Sequence, residues 1–152
     1  MRFMLAVAVI ITSVTSARAD LCNEHTSRTI LAGPVVGLLR GKHAGPVVGF
    51  EGGVGCGPMR LDLGFEHRDH KGLGYVALDA WHGLGATFGL GLDTGGVIQG
   101  IGGVWEGVPT HFPTCRPDNQ TAVLFSFGYR FTGVHELFVS LKAGRIERAS
   151  CL

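Results

Sequence analysis

Met59-Arg60-Leu61-Asp62-Leu63-Gly64-Phe65-Glu66-His67-Arg68 changes character at every step. Met59, Leu61, Leu63, Phe65 and His67 fall on one face, and Arg60, Asp62, Gly64, Glu66 and Arg68 on the other. A period of two is the signature of a β-strand whose two faces meet different surroundings. Leu84 to Asp93 repeats it, with Leu84, Ala86, Phe88, Leu90 and Leu92 opposing Gly85, Thr87, Gly89, Gly91 and Asp93. Thr121 to Phe131 sets Val123, Phe125, Phe127, Tyr129 and Phe131 against Ala122, Leu124, Ser126, Gly128 and Arg130. In a fourth stretch Leu137, Val139, Leu141 and Ala143 oppose Glu136, Phe138, Ser140, Lys142 and Gly144.

Outward from these, Ile30–Leu39, Ala44–Gly55, Tyr75–His82 and Val97–Val108 are rich in β-branched residues and glycine and read as further strands. Ala32-Gly33-Pro34-Val35-Val36-Gly37-Leu38 recurs as Ala44-Gly45-Pro46-Val47-Val48-Gly49-Phe50 at an even offset, so equivalent side chains keep one face and the copies read as arms of a hairpin. Each copy carries a proline, which donates no ladder bond. Gly55-Cys56-Gly57-Pro58, Asp69-His70-Lys71-Gly72, His82-Gly83, Asp93-Thr94-Gly95-Gly96 and Thr132-Gly133 supply tight links. Pro109 to Gln120 is the one long connection. The expectation is eight strands of about the 9–11 residues that a tilted strand needs to cross a bilayer.

The first residues read as an export signal: Met1-Arg2, an apolar run from Phe3 to Val14, and small residues ending at Ala19. The division expected is a signal peptide over 1–19 and a single barrel domain over 20–152. Charged residues make up 16% of the chain and 25 residues are glycine, while the mean hydropathy is +0.28. An ordinary soluble domain carries about 25% charged residues. Such a chain often hides a transmembrane helix, yet Gly or a charge interrupts every apolar stretch after the leader. A closed β-barrel satisfies its backbone internally and suits the membrane without one. The net charge of +1 gives no reason to expect a nucleic-acid partner.

The same alternation serves two fold classes. A membrane barrel turns its apolar face to lipid, whereas a lipocalin-like soluble barrel turns it inward around a small apolar ligand. Here the polar face is mostly Gly, Ala, Ser and Thr, which fits the crowded interior of eight strands better than a solvated surface. That places Glu51, Asp62, Glu66, Asp79 and Glu136 in the lumen with Arg60, Arg130 and Lys142, both signs present so that they pair. On the apolar face His67 and Arg145 fall only near strand ends. Phe65, Tyr129, Phe131 and Trp105 also fall near strand ends, where an aromatic girdle lies.

On leader, strand number and facial alternation, the region from Ile30 to Ile146 resembles the small eight-stranded outer-membrane barrels of Gram-negative bacteria, the group of the OmpA transmembrane domain and OmpX-like proteins. The resemblance implies an all-β, antiparallel, up-and-down transmembrane barrel. Its location would be the outer membrane, its partner outer-membrane lipid and its state monomeric. The alternative location is the periplasm or the medium. The chain departs from the group's usual end on a strand-terminal aromatic, running on through Arg148-Ala149-Ser150 to Cys151-Leu152.

Cys22, Cys56, Cys115 and Cys151 form an even set in an exported chain, which favours two disulfides. Strand parity puts all four at one end of the barrel. The pairing expected is Cys22–Cys151 and Cys56–Cys115, with Cys22–Cys115 as the rival. Chemistry beyond this is sparse. Asp93-Thr94-Gly95 matches the aspartic-protease triplet, but such enzymes need two of them, so it reads as a turn. His67, Asp69 and His70 read as solvated rather than metal-binding. A lipid-modifying hydrolase would need Ser126 or Ser140 to meet His135 and Glu136, yet alternation turns His135 outward and the others inward. No catalysis, cofactor or metal is expected. The role expected is structural or in surface interaction.

Overall fold

The computed structural model describes residues 28–40, 44–68, 70–82, 84–109 and 120–147. Eight strands follow in chain order: β1 (Arg28–Arg40), β2 (Gly45–Cys56), β3 (Met59–Arg68), β4 (Lys71–His82), β5 (Leu84–Asp93), β6 (Ile98–Pro109), β7 (Gln120–Phe131) and β8 (His135–Glu147). Each pairs antiparallel with its neighbour in sequence and β8 pairs with β1, so the sheet closes into a barrel. This is the all-β, up-and-down architecture that the alternation leads one to expect.

Register fixes the barrel's dimensions. Partners followed once around run Thr29, Gly55, Arg60, Asp79, Thr87, Gly103, Arg130, Glu136 and back to β1 at Leu39, ten residues beyond the start. Ten residues of ~3.3 Å against eight strands ~4.8 Å apart set a tilt of about 40°. Strands of 10 to 13 residues at that tilt stand about 25–33 Å tall.

Val35 is 0% and Val47 1% exposed, while Val36 and Val48 are exposed, so the two repeat copies present the same faces. Both prolines sit where a ladder bond is dispensable. Pro46 lies beyond the reach of β3, whose pairing with β2 starts at Val47. Pro34 lies where the β1–β8 register skips from Ala32 to Val35.

Large residues face glycines across strands. One row runs Trp81, Gly85, Trp105, Gly128, Phe138, and a second runs Glu51, Gly64, Tyr75, Gly91. A Cβ at Gly85 would collide with the Trp105 ring, and one at Gly64 with the Tyr75 ring. The glycines therefore make the space into which neighbouring aromatics lie down, the arrangement known as aromatic rescue. Gly57-Pro58, Thr94-Gly95 and Thr132-Gly133 are turns or bends as expected, while the links through Asp69 and Gly83 fall partly outside the described residues. The Asp93-Thr94-Gly95 triplet is a turn closed by Gly96 N–H to Asp93 O at 2.9 Å and Val97 N–H to the Asp93 carboxylate at 2.8 Å, with Gly96 at φ 80°.

Candidate functional site

The barrel is inside out relative to a soluble protein. Glu66 and Glu136 are 0% exposed, whereas Phe88 is 66% and Ile98 72% exposed. All eight residues expected in the lumen, Glu51, Arg60, Asp62, Glu66, Asp79, Arg130, Glu136 and Lys142, are buried there.

They form one connected network along the barrel. Near the end where β1 begins and β8 finishes (the terminal end), Arg60 donates to Asp62 at 2.7 Å and to Asp79 at 2.6 Å, and Thr87 donates to Asp79. Lys142 bridges Asp62, at 3.0 Å, and Glu51. Glu51 accepts from the Tyr75 hydroxyl at 2.5 Å, and that hydroxyl accepts from Arg130 at 3.0 Å. Arg130 then pairs with Glu66 and with Glu136 at 3.0 Å. Its guanidinium lies 5.2 Å from the Tyr75 ring centroid and 4.9 Å from that of Phe138. Toward the opposite, loop end, Arg68 holds Glu66 and Thr132 and reaches Glu136 at 3.1 Å. Charges this deep persist because each meets an opposite charge and further donors or acceptors.

Below the network, at the terminal end, Leu31, Trp105, Ala122 and Leu124 form an apolar cluster against Trp81 and Phe138. An apolar cavity of about 90 Å³ opens beside Trp81 and Trp105. Whether the Pro109–Gln120 segment plugs this end falls outside the described residues, as do Cys22, Cys115 and Cys151. The expected disulfide pairing therefore goes unplaced, with Cys56 alone described, at the end of β2.

Trp105 corrects one expectation. It is 4% exposed and stacks on Trp81 inside the barrel, with centroids 6.3 Å apart, so it is not part of a lipid-side girdle. The row that sets it between Gly85 and Gly128 turns it inward. Phe65, Tyr129 and Phe131 do lie on the outer side near the loop end. Arg68, Tyr75 and Thr132 join the interior network beyond the residues expected there.

The hydrolase candidates divide across the barrel wall. Ser126 and Ser140 share a 2.6 Å hydrogen bond in the interior, and Glu136 is held there by Arg68 and Arg130. His135 is exposed on the outer side, hydrogen-bonded to Tyr129. His67 and His70 are exposed as well, and Asp69 lies outside the described residues. Glu51, Asp62 and Asp79 bring carboxylate oxygens within 4.8 Å of one another, a spacing a metal would use. Lys142 and Arg60 already pair with all three carboxylates.

The outer face keeps its ionisable residues near the strand ends. Its ionisable residues among those described are Arg40, His67 and His135 toward the loop end and Arg28, His82, Glu106 and Arg145 toward the terminal end. Between them the exposed side chains are Leu, Val, Ile, Met, Phe, Pro, Ala and Gly, with Thr121 beside Arg145 at the terminal edge. On β8, His135 and Arg145 bracket this band; ten residues at the barrel's tilt separate them by about 25 Å.

No family model matches the chain, and no curated protein matches it. Among solved structures, a protein described as a de novo designed transmembrane β-barrel matches with 15% identity over 80% of this chain and 95% of that one, at a TM-score of 0.48. The closed eight-stranded antiparallel barrel stands; membership of the OmpA or OmpX group does not follow from these comparisons.

Proposed function

We propose that the protein is an integral barrel of a Gram-negative outer membrane, with a structural or surface-interaction role rather than a catalytic one. The apolar outer band carries this reading. It runs around all eight strands, is about 25 Å tall between His135 and Arg145 on β8, and has ionisable residues only near its edges, matching the lipid-facing belt of outer-membrane barrels. In water such a surface would far exceed the few hundred Å² of contiguous apolar patch that soluble monomers tolerate. The leader supports export. The interior supports a plug rather than a pore, since ion pairs and aromatic rings fill the space through which solutes would pass. A lipocalin-like binder fits less well, because the lumen offers buried charge where an apolar ligand would sit.

Extraction tests the membrane reading. Carbonate and urea washes should leave the folded protein in the membrane pellet, and detergent should release it as a species whose gel mobility changes on heating. Release of folded protein by the washes alone would favour the secreted binder.

A further inference from the structure

Arg40, at the loop end of β1, is the register partner of His135 at the start of β8, and His135 is the partner of Phe131 on β7. All three are exposed on the outer side. The His135 ring lies 5.4 Å from Phe131, edge on, and 5.8 Å from Tyr129, whose hydroxyl hydrogen-bonds Nδ1. When that hydroxyl donates to Nδ1, the neutral imidazole carries its proton on Nε2; the imidazolium carries protons on both nitrogens. In these two forms Nε2–H is a donor, beside a guanidinium with five more.

Two further observations give this cluster a direction. No outward carboxylate stands at the loop end among the described residues; Glu106, on the outer face, lies at the opposite end. Outward aromatics close to a strand end, Phe65, Tyr129 and Phe131, also lie at the loop end, whereas among the described residues Arg28 and Arg145 at the terminal end have none as register partners. Immediately inward along the barrel axis, Leu38 and Leu137 face each other across the β1–β8 ladder, exposed at the top of the apolar band.

We propose that Arg40, His135 and Tyr129 form a site for the phosphate of a membrane-lipid headgroup at the loop-end rim. Arg40 and His135 donate to the phosphate oxygens, Tyr129 positions the imidazole, and Leu38 and Leu137 pack against the first methylenes of the acyl chains. The inference rests on the membrane reading above. Leu38 and Leu137 favour a lipid over a free anion, since an anion on the donors has apolar surface directly beneath it. Charge-assisted bonds of this kind are shorter and stronger than neutral ones.

The test uses the folded full chain in detergent, with retained lipid counted by native mass spectrometry. Phosphatidic acid, with an open phosphate, is compared with phosphatidylcholine, whose phosphate is shielded. Phosphatidic acid should be retained preferentially. Arg40→Gln and His135→Gln should each weaken that retention about tenfold, a change worth ~1.4 kcal/mol. Tyr129→Phe, which removes one hydroxyl and keeps the ring, should weaken it less. Arg145→Gln, at the other rim, should leave it unchanged. Heat-dependent gel mobility verifies that each variant is folded, and Tyr129→Phe carries the test if a charge variant does not fold. Equal retention of the two lipids, an equal loss with Arg145→Gln, or displacement of the lipid by inorganic phosphate would each overturn the proposal. Failure of the membrane reading itself shows separately, in the wash experiment, before any lipid is added.

Discussion

Arg130 is the residue on which the interior network converges, and Arg130→Met tests the network most directly. Methionine fills much of the same volume without charge. The substitution removes the pairs to Glu66 and Glu136, the 3.0 Å bond to the Tyr75 hydroxyl, and the ring contacts to Tyr75 and Phe138. Breaking a buried ion pair by deleting one partner costs about 3–5 kcal/mol, because the remaining charge stays buried and unpaired. Arg68 still holds both carboxylates and offsets part of this. The lost ring contacts add back about 1 kcal/mol. The expected destabilisation is therefore about 3–4 kcal/mol. Urea unfolding in detergent micelles measures it, with fluorescence of the interior Trp81 and Trp105 as the probe. Adding Glu66→Gln to Arg130→Met should restore part of the loss, since it removes the stranded charge. A shift below about 1 kcal/mol, in the range of an exposed pair, would refute the view that these charges are mutually dependent.

The glycine rows predict a contrast between two glycines of different surroundings. Gly85→Ala should destabilise by about 1–3 kcal/mol through overpacking against Trp105, while Gly74→Ala, with nothing near its added Cβ, should stay within about 0.5 kcal/mol; the same urea titration compares them. Phe88→Arg, in the outer band on β5, should cost about 2–4 kcal/mol in phospholipid vesicles, and no loss there would argue that this face does not meet lipid. Non-reducing peptide mapping should find Cys22–Cys151 and Cys56–Cys115, and Cys22 joined to Cys115 or Cys56 would reject that pairing.

Eight strands and their facing are legible wherever the two faces differ chemically. β3, β5, β7 and β8 alternate so regularly that the phase of each assigns its side chains, and six of the eight lumen charges lie on them, with Glu51 on β2 and Asp79 on β4. β6 (Ile98–Pro109) is different. Ile101 and Trp105 point in while Ile98, Val104 and Val108 point out, so apolar residues occupy both faces and no phase emerges from hydropathy. Trp105 finds its side through Gly85 and Gly128 on strands β5 and β7, information that exists only once register is known. Arg68 misleads for another reason. It ends its strand, where a charge ordinarily reaches solvent, but its long side chain turns back to Glu66 and Glu136. Tyr75 lies in a stretch of β4 where Gly72, Leu73 and Gly74 blur the alternation, and its room comes from Gly64 across the ladder.

The skipped register at Gly33 and Pro34 has a bearing on how the barrel is made. Seven of the eight seams join strands adjacent in sequence, so they form by local zippering, with little chain entropy lost at each step. The β1–β8 seam differs. It joins the two ends of the described chain, the most distant contact in the topology, and contacts of that separation govern folding speed. The same seam carries a proline that cannot donate and a glycine whose Cβ would collide with the Leu141 backbone. Closure therefore comes last, along the ladder with the gap in its hydrogen bonding.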